Sequence, residues 1–554
     1  IAKYVHTKTD GAEQFQAAFL KVTTHDELVT LGHDERGATR YTTREMLTVE
    51  RELLERGARM SGHLAHVVTD AHRDQALIES RLSAEQREAF EHVTAGADLA
   101  LVIGVAGAGK STMLETARRA WEAEGLSVKG AALSGIAAEN LEHASGIVSR
   151  TLASWERAWE NDRDPLTRRD VLVIDEAGLV GTRQMARVLE RAEVSGAKVV
   201  LLGDPEQLQA IEAGAPFRGL SGQAGFAELT EVHRQRIGWQ KQATQDLARG
   251  HTTAALTAYE RAQQVAAAST RDAAREAMLL AWQRASLERP GESRLMLAYT
   301  RDDVQALNHG ARVLRERAGD LQAGEIIETD RGPREFAVGD RLYFLKNERS
   351  LGVKNGTLGT LEKIRDGVLQ VRLDGDADRR VAVDSRFYHH LDHGYAATVH
   401  KAQGTTVDRT FVLATPHFDR HSTYVALSRH RENVALFYGR EDFPGSFEAT
   451  LSRARPKALA HDYLEREGLD AERAAGSESE GLRSMSLADR FRQRMDEAAQ
   501  RFALEREAER SAREVLQQKR ALEQYQALER QRELVREQQR AAELRRKRDH
   551  GLEL

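Results

Sequence analysis

The chain has 554 residues, more than one hydrophobic core supports, so its length predicts several domains. It carries 81 Lys and Arg against 86 Asp and Glu, a net charge of −5, which does not by itself indicate nucleic-acid binding but permits a narrow basic channel. The absence of cysteine excludes disulfides and thiolate metal sites, and no apolar run reaches the about 18 residues that a membrane span needs. We therefore expect a cytoplasmic protein without membrane insertion, and the first residue, Ile1, favours a piece of a longer chain.

The first 240 residues divide into a helical segment and an α/β block. Residues 1–80 have apolar residues at helical spacing, with a capping sequence at Thr42–Glu45. Residues 81–240 alternate apolar strands with helices, which predicts a parallel sheet. The predicted strands are residues 100–104, 128–133, 171–175 and 198–203.

The next part of the chain predicts a helical connector and a second α/β block. Residues 241–288 are rich in Ala, Gln and Arg and predict helices, and residues 289–450 form the second block. Its apolar strands are predicted at residues 294–299, 411–414 and 434–438. Within this block, residues 333–390 carry short β segments divided by Gly and Asp, which predicts a small barrel-like insertion. Asn355-Gly356 is a hairpin signal there.

The C-terminal part, residues 451–554, predicts a long helical tail. From Leu487 to Arg548 it is dominated by Glu, Arg, Gln, Ala and Leu. Apolar residues at Leu504, Val515 and Leu522 give partial heptad spacing. Two interpretations remain open: a solvated charged helix with ion pairs one turn apart, and a coiled coil that docks a partner.

Residues 104–111, Gly-Val-Ala-Gly-Ala-Gly-Lys-Ser, follow a buried strand and open a helix, which is the setting of a P-loop. Backbone N–H groups of such a glycine-rich loop close around phosphates, and the positive end of the helix faces the same anion. We expect Lys110 to reach the β- and γ-phosphates and the Ser111 hydroxyl to ligate Mg²⁺. The predicted cofactors are ATP and Mg²⁺, and the predicted loop residues are Gly104, Gly107, Gly109, Lys110, Ser111 and Thr112.

Two further strands end in polar residues suited to hydrolysis. Asp175 and Glu176 follow the apolar run of residues 171–174. Asp175 is placed to hold Mg²⁺, and Glu176 to orient or deprotonate the attacking water. Gln207 follows the strand of residues 198–203, and its amide suits a sensor of the γ-phosphate.

These elements, in this order, resemble superfamily 1 helicases and most of all their RecD-like branch. The resemblance implies two RecA-like domains with ATP between them and an SH3-like β insertion in the second. Leu82–Gln86 is similar to the family's adenine-recognising element, which implies that Gln86 reads the base. Glu231–Gln235 resembles the segment whose arginine, here Arg234, reaches the nucleotide.

The second block continues the resemblance. Residues 397–406 resemble the element that links the DNA backbone to the γ-phosphate, which implies a nucleotide role for Gly404. Tyr424–Arg429 resembles the last core motif, which implies that Arg429 is an arginine finger. With residues 132–138, where the family grips single-stranded DNA, the resemblance implies the DNA contacts Ser134, Thr398 and His400.

The function that this resemblance implies is an ATP-dependent helicase or translocase on single-stranded DNA, moving 5′→3′ in this branch. Residues 40–60 and the charged tail also resemble the helicase half of Ti-plasmid-type conjugative relaxases. That implies a motor without the nicking domain, with conjugation proteins as partners through the C-terminal helix. Two alternatives stay open: a DNA-binding nucleotide switch, and an interaction scaffold without autonomous unwinding.

Three histidines near the end of the predicted insertion, His389, His390 and His393, invite a metal hypothesis. No cysteine accompanies them. We interpret them as surface or DNA-facing residues, and we predict no metal site there.

Overall fold

The structure is a computed structural model, and it describes residues 4–5, 8–9, 11–33, 39–210, 212, 214–374, 379–454 and 457–463. These residues all belong to one unit, residues 1–467. The tail predicted from residue 451 lies almost wholly outside the described residues, and so does its heptad pattern. Within the described part, no helix has the length and apolar character that crossing a membrane requires.

The N-terminal segment contains helices and also a β-hairpin, so the purely helical prediction for residues 1–80 was wrong. The hairpin pairs β1 (Leu28–His33) with β2 (Thr39–Thr43) in antiparallel register. Threonines and a tyrosine dominate β2, and such residues favour the extended chain over a helix. The helices are α1 (Ala12–Thr23), α2 (Arg44–Gly62) and α3 (Asp70–Ile78). Thr43 caps α2 by accepting from the Met46 amide, within the predicted capping sequence.

The first sheet has six strands, all joined by parallel pairing, in the order β5-β4-β6-β7-β3-β8. The four predicted strands are present as β3, β4, β6 and β7, with ends within one residue of the prediction. The short edge strands β5 and β8 are additional. The bounds are β3 (Leu99–Gly104), β4 (Ser127–Ala132), β5 (Ser149–Thr151), β6 (Asp170–Ile174), β7 (Lys198–Gly203) and β8 (Ala227–Leu229).

Helices cover both faces of this sheet, which explains why its strands are apolar throughout. Val171 and Val173 belong to one buried cluster, whereas Leu172 and Ile174 belong to another. The covering helices are α2 with α4 (Ala84–Thr94), α5 (Lys110–Ala123), α6 (Gly135–Ser145), α7 (Leu152–Glu160), α8 (Thr182–Ser195) and α9 (Pro216–Ala224). A short 3₁₀ turn, Ala177–Leu179, follows β6.

The connector is not wholly helical. It consists of α10 (Gly238–Ala248), α11 (Thr252–Arg261), β9 (Val265–Ala268) and α12 (Arg271–Glu288). The prediction missed β9, because its Val-Ala-Ala-Ala sequence carries no strand periodicity. This strand pairs in parallel with Leu436–Gly439 at the edge of the second sheet.

The second sheet is also parallel, in the order β18-β10-β19-β20-β9. The prediction of an α/β fold with two parallel sheets is therefore confirmed. Its strands and helices are β10 (Arg294–Ala298), α13 (Arg301–Arg317), β18 (Ala396–Thr398), β19 (Val407–Leu413), α14 (Arg420–Leu427), β20 (His430–Gly439), the 3₁₀ turn Arg440–Asp442 and α15 (Phe447–Leu451).

The predicted β insertion is an antiparallel sheet in the order β16-β15-β14-β13-β17, preceded by a separate hairpin. The strands are β11 (Glu325–Thr329), β12 (Gly332–Phe336), β13 (Arg341–Phe344), β14 (Leu358–Arg365), β15 (Val368–Leu373), β16 (Arg380–Asp384) and β17 (Leu391–His393). Asn355-Gly356 lies in a turn but does not form a two-residue hairpin. Residues 345–357 join β13 to β14, and this loop contains its own bridge, Glu348 to Val353.

Candidate nucleotide-binding site

The P-loop joins β3 to α5 and depends on its glycines. Gly107 and Gly109 have φ angles of +81° and +77°, the left-handed region that glycine tolerates best. A Cβ on Gly107 would lie 2.5 Å from the Cβ of Arg234, and one on Gly109 would lie 2.3 Å from Nε2 of Gln86. Both conformation and space therefore require glycine here.

Lys110 begins α5 and turns back onto the loop. Its Nζ donates to the carbonyl of Gly104 at 2.6 Å and lies 3.5 Å from that of Val105. Ser111 and Thr112 follow in the first turn of the helix, where the Thr112 amide donates to the carbonyl of Gly109 at 3.1 Å. The P-loop residues predicted from the sequence thus form one continuous strand–loop–helix unit.

Two carboxylates stand at the carboxyl end of β6. The Oδ1 atom of Asp175 accepts from the Glu176 amide at 2.9 Å. Burial and the adjacent Glu176 raise the pKa of Asp175 to about 6, while the Lys110 ammonium opposes that rise. Glu176 has a φ angle of +54°, an uncommon conformation for a non-glycine residue. Such backbone strain is found preferentially at functional sites.

The turn after β7 brings Gln207 to the same edge of the sheet. Gln207 is 2% exposed, and its Nε2 donates to Oδ2 of Asp204 at 3.0 Å. Its Oε1 accepts from Nη2 of Arg429 at 3.2 Å. Arg429 comes from the second block, so this hydrogen bond crosses from one sheet to the other.

Two arginines enter the cleft between the sheets. Arg429 is 1% exposed, and its Nε donates to the carbonyl of Val425 at 3.0 Å. Arg234 donates from Nη1 to the carbonyl of Ser428 at 2.8 Å. Burial, together with Arg429, lowers the pKa of Arg234 to about 9, and burial also lowers the pKa of Arg429. Two desolvated cations beside the carboxylates of the first sheet form a site suited to a polyanion.

Two family models match this chain. Residues 81–270 match an AAA domain, and residues 379–438 match the viral superfamily 1 RNA helicase core domain. The first match contains the P-loop and the carboxylates, and the second contains Arg429.

Full-length proteins extend the comparison. The conjugal transfer protein TraA of Agrobacterium fabrum (strain C58) is 41% identical over 508 residues, which are 90% of this chain and 46% of the relative. The ATP-dependent RecD2 DNA helicase of Deinococcus radiodurans is 28% identical over 362 residues, 63% of this chain and 48% of the relative. This chain is therefore similar in sequence to TraA conjugal transfer proteins and to a RecD2 DNA helicase. Both the second family model and the RecD2 relative are helicases by name.

The chain spans about half the length of the curated relatives it matches. Among solved structures, Bacteroides Pif1 bound to single-stranded DNA is 19% identical and has a TM-score of 0.46. That alignment covers 72% of this chain and 98% of the Pif1 chain.

Both polar atoms of the Gln86 amide have hydrogen-bond partners. Its Oε1 accepts from the Ser83 amide at 3.1 Å, and its Nε2 donates to the carbonyl of Ala108 at 3.1 Å. The first bond belongs to the capping box of α4, and the second fastens that helix to the P-loop. An adenine contact by this side chain would exchange one of these partners.

Gly404 lies against the first block on α6. Its carbonyl accepts from Nδ2 of Asn140 at 3.0 Å, and its φ angle is +79°. The neighbouring Gln403 is the residue whose side chain reaches the carboxylates: its Nε2 donates to Oε2 of Glu176 at 3.2 Å. The prediction passed over Gln403, although the element of residues 397–406 contains it.

The three predicted DNA contacts lie at carboxyl ends of parallel strands. Ser134 follows β4 and caps α6 by accepting from the Ala137 amide at 3.2 Å. Thr398 ends β18, and its Oγ1 accepts from the Lys401 amide at 3.3 Å. His400 is exposed, with its ring edge-on to Tyr299 at 5.6 Å between centroids. Sheet ends of this kind are where open α/β folds bind ligands.

The histidines of the insertion divide into two groups. His389 and His390 both approach Asp330, and these three residues offer candidate metal ligands within 4.8 Å of one another. Nζ of Lys346 lies 3.4 Å from Nε2 of His390, and an ammonium there opposes a bound cation. His393 is buried elsewhere, with its Nε2 3.0 Å from the carbonyl of Glu335.

Proposed function

We propose that this chain is the motor of a DNA helicase, driven by ATP with Mg²⁺ and moving along single-stranded DNA. The observation that carries the proposal is the hydrogen bond between Gln207 and Arg429, because it unites a sensor from one parallel sheet with a cation from the other. A motor needs such a site, since hydrolysis then depends on how the two sheets stand to each other.

The residues of the first sheet fit a nucleotide with its metal ion. Gly107 and Gly109 give the loop its left-handed backbone conformation, and Nζ of Lys110 donates to a loop carbonyl. Mg²⁺ prefers hard oxygen ligands, which the Asp175 carboxylate and the Ser111 hydroxyl supply. The ion would neutralise the buried charge of Asp175. Phosphates would be held by the loop residues Gly104, Gly107, Gly109, Lys110, Ser111 and Thr112, with Gln86 beside the base.

The residues that face the scissile phosphate come from both sheets. Glu176 orients the attacking water, and Gln207 contacts the γ-phosphate or that water. Arg234 and Arg429 stabilise charge that develops during phosphoryl transfer, and Gly404 links the DNA side to the nucleotide side. Closure of the cleft would complete this set, and its opening would release the products.

The DNA contacts should be mainly to phosphates. Ser134, Thr398 and His400 lie at strand ends where a single strand can cross both sheets. Phosphate contacts carry little sequence information and weaken as salt rises. We therefore propose slight sequence preference and strong salt dependence, with 5′→3′ movement as in the RecD-like branch.

The TraA relatives suggest the biological setting. We propose that the chain is the motor part of a conjugative relaxase in the cytoplasm, with an SH3-like insertion at residues 333–390. Conjugation proteins would bind through the C-terminal segment. The proposed domains are residues 1–80, 81–240, 241–288, 289–450 and 451–554.

The first experiment measures ATP hydrolysis with and without single-stranded DNA at low salt, for the wild type and Lys110→Ala. A matched control, Lys241→Ala, removes a half-buried lysine from α10. We expect strong stimulation by DNA, lost in Lys110→Ala and retained in Lys241→Ala. Strand displacement is then measured on DNA substrates that have either a free 5′ or a free 3′ single-stranded end, and the comparison gives the direction of movement. If DNA does not change the rate of ATP hydrolysis by the wild type, the result would contradict an autonomous motor and favour a nucleotide switch or a scaffold.

A further inference from the structure

The side chain of Tyr424 connects the two sheets at the P-loop. Tyr424 lies on α14 of the second block and is 0% exposed. Its hydroxyl accepts from the backbone N–H of Ala106, inside the P-loop, at 2.7 Å. The same hydroxyl donates to Oδ2 of Asp204, on the turn after β7, at 2.7 Å. One hydroxyl group thus uses both its donor and its acceptor on the first block.

This contact belongs to a longer chain of hydrogen bonds. Oδ2 of Asp204 also accepts from Nε2 of Gln207, and Oε1 of Gln207 accepts from Nη2 of Arg429. The chain runs from the P-loop backbone through Tyr424, Asp204 and Gln207 to the arginine of the second block. All its members are buried, and in such surroundings hydrogen bonds are strong and strongly directional.

A purely structural role for Tyr424 would look different, as a second tyrosine shows. Tyr259, on α11, is 1% exposed and packs edge-on against Trp239. Its hydroxyl lies 3.4 Å from the carbonyl of Leu427, which belongs to the second block. The hydroxyl of Tyr259 therefore bonds to the second block, whereas Tyr424 places its polar end in the nucleotide site.

We propose that Tyr424 is a positioning residue for ATP hydrolysis. Its hydroxyl holds the P-loop and the Gln207 turn in register with Arg429 when the second sheet docks. This inference rests on the proposed function. Nucleotide binding by the P-loop belongs to the first block alone and does not need Tyr424. Hydrolysis needs it, because Gln207 and Arg429 meet across the cleft.

The test compares Tyr424→Phe with the matched control Tyr259→Phe. Both substitutions remove one buried hydroxyl and keep the ring. For each variant, kcat and KM for ATP are measured with saturating single-stranded DNA, and nucleotide affinity is measured by titration with a fluorescent analogue. We expect kcat to fall by about tenfold or more in Tyr424→Phe, because a buried donor and a buried acceptor both lose their partner. Nucleotide affinity should change by less than about threefold, since the P-loop keeps its own backbone contacts.

Asp204→Asn provides a second route to the same answer. The carboxylate of Asp204 accepts from the Glu206 amide, Nε2 of Gln207 and the Tyr424 hydroxyl. An asparagine has a single side-chain oxygen and cannot accept all three hydrogen bonds in the same way. We expect a similar loss of kcat, and no further loss in the double variant, because both changes break one chain. If Tyr424→Phe fails to fold, as circular dichroism would reveal, Asp204→Asn alone decides.

Three outcomes overturn the inference: kcat of Tyr424→Phe within twofold of the wild type, an equal loss in Tyr259→Phe, and fully additive losses in the double variant. Failure of the proposed function is a separate result. It would appear in the wild type as hydrolysis that DNA does not stimulate.

Discussion

The two parallel sheets of this protein share an architecture but differ in what their strand ends carry. In the first, β3 leads into a glycine loop and β6 into two carboxylates. In the second, the equivalent edge carries Gln403 and Arg429 and lacks a glycine-rich phosphate loop among the residues that the structure describes. The shared fold therefore does not account for nucleotide binding. The residues that follow the strands do.

The sheets also differ in charge at their meeting edge. The first presents Asp175, Glu176 and Asp204, and the second presents Arg429. Opposite charges across a desolvated cleft attract strongly, and this attraction favours closure of the cleft. The comparison predicts that changes in the P-loop of the first sheet impair nucleotide binding, whereas changes at Gln403 and Arg429 of the second sheet impair hydrolysis after binding.

The largest effect should come from Arg429→Ala. We expect kcat to fall by about 10³–10⁵, the range of comparable arginine fingers, with nucleotide affinity nearly unchanged. Single-turnover hydrolysis and analogue titration measure the two quantities separately. Arg431→Ala is the control, because Arg431 is exposed and pairs with Asp408 outside the cleft. If Arg429→Ala lowered nucleotide affinity as much as kcat, the proposed division between nucleotide binding by the first sheet and hydrolysis with the second would be wrong.

A second prediction concerns a residue that follows the second sheet in sequence but packs on the first. Leu459 is 1% exposed and lies in the same apolar cluster as Leu54 and Phe217. Leu459→Ala should lower the free energy of unfolding by about 2–5 kcal/mol, through lost burial and a residual cavity. Urea titration measures this change. Leu287→Ala, at a 71% exposed position, should change it by less than about 0.5 kcal/mol.

Gln403→Leu should sharpen the comparison further. It removes the donor to Glu176, and hydrogen bonds to charged groups are worth about 1.5–3 kcal/mol, so we expect kcat to fall by about tenfold to a hundredfold. The control is Asn140→Ala, which breaks the neighbouring bond between the blocks, to Gly404, without touching Glu176. Steady-state hydrolysis with DNA gives both values. Similar losses in both variants would mean that Gln403 only holds the blocks together.

The smallest effect is a pH dependence at the start of β20. Burial, aided by Arg234 and Arg429, lowers the pKa of His430 to about 3. When the pH is below the ordinary histidine pKa, the unfolded chain binds a proton at this residue and the folded chain does not. The free energy of unfolding therefore falls as the pH falls from about 6.5 towards 3. Between pH 7 and 5 we expect His430 to account for a loss of about 2 kcal/mol.

His430→Leu should therefore lose about 2 kcal/mol less than the wild type over that interval, in unfolding titrations at each pH. Leucine at this buried position cannot take up a proton. His143→Leu is the control, because the His143 side chain is 71% exposed. An equal loss of unfolding free energy between pH 7 and 5 in His430→Leu and the wild type would contradict the inference that His430 is buried and neutral.

Local patterns predicted much of this fold. The central strands of the first sheet follow from apolar runs, and the residues after them from their chemistry. The N-terminal hairpin and β9 escaped prediction, because the end of β2 overlaps the capping sequence Thr42–Glu45 and β9 is alanine-rich. The loop of residues 345–357 also escaped, since Asn355-Gly356 marks a turn without giving the length of the connection.

The amino-acid sequence by itself determined the ligand class of the first sheet, because a P-loop needs only consecutive residues. The tertiary structure decided which residues of the second sheet meet it. Tyr424 and Ala106 are 318 residues apart, and Gln207 and Arg429 are 222 apart. Contacts over such separations depend on how two packed sheets face each other. No local sequence pattern encodes that arrangement. The contacts of Gln403 and Tyr424 with the first block therefore emerged only from the tertiary structure.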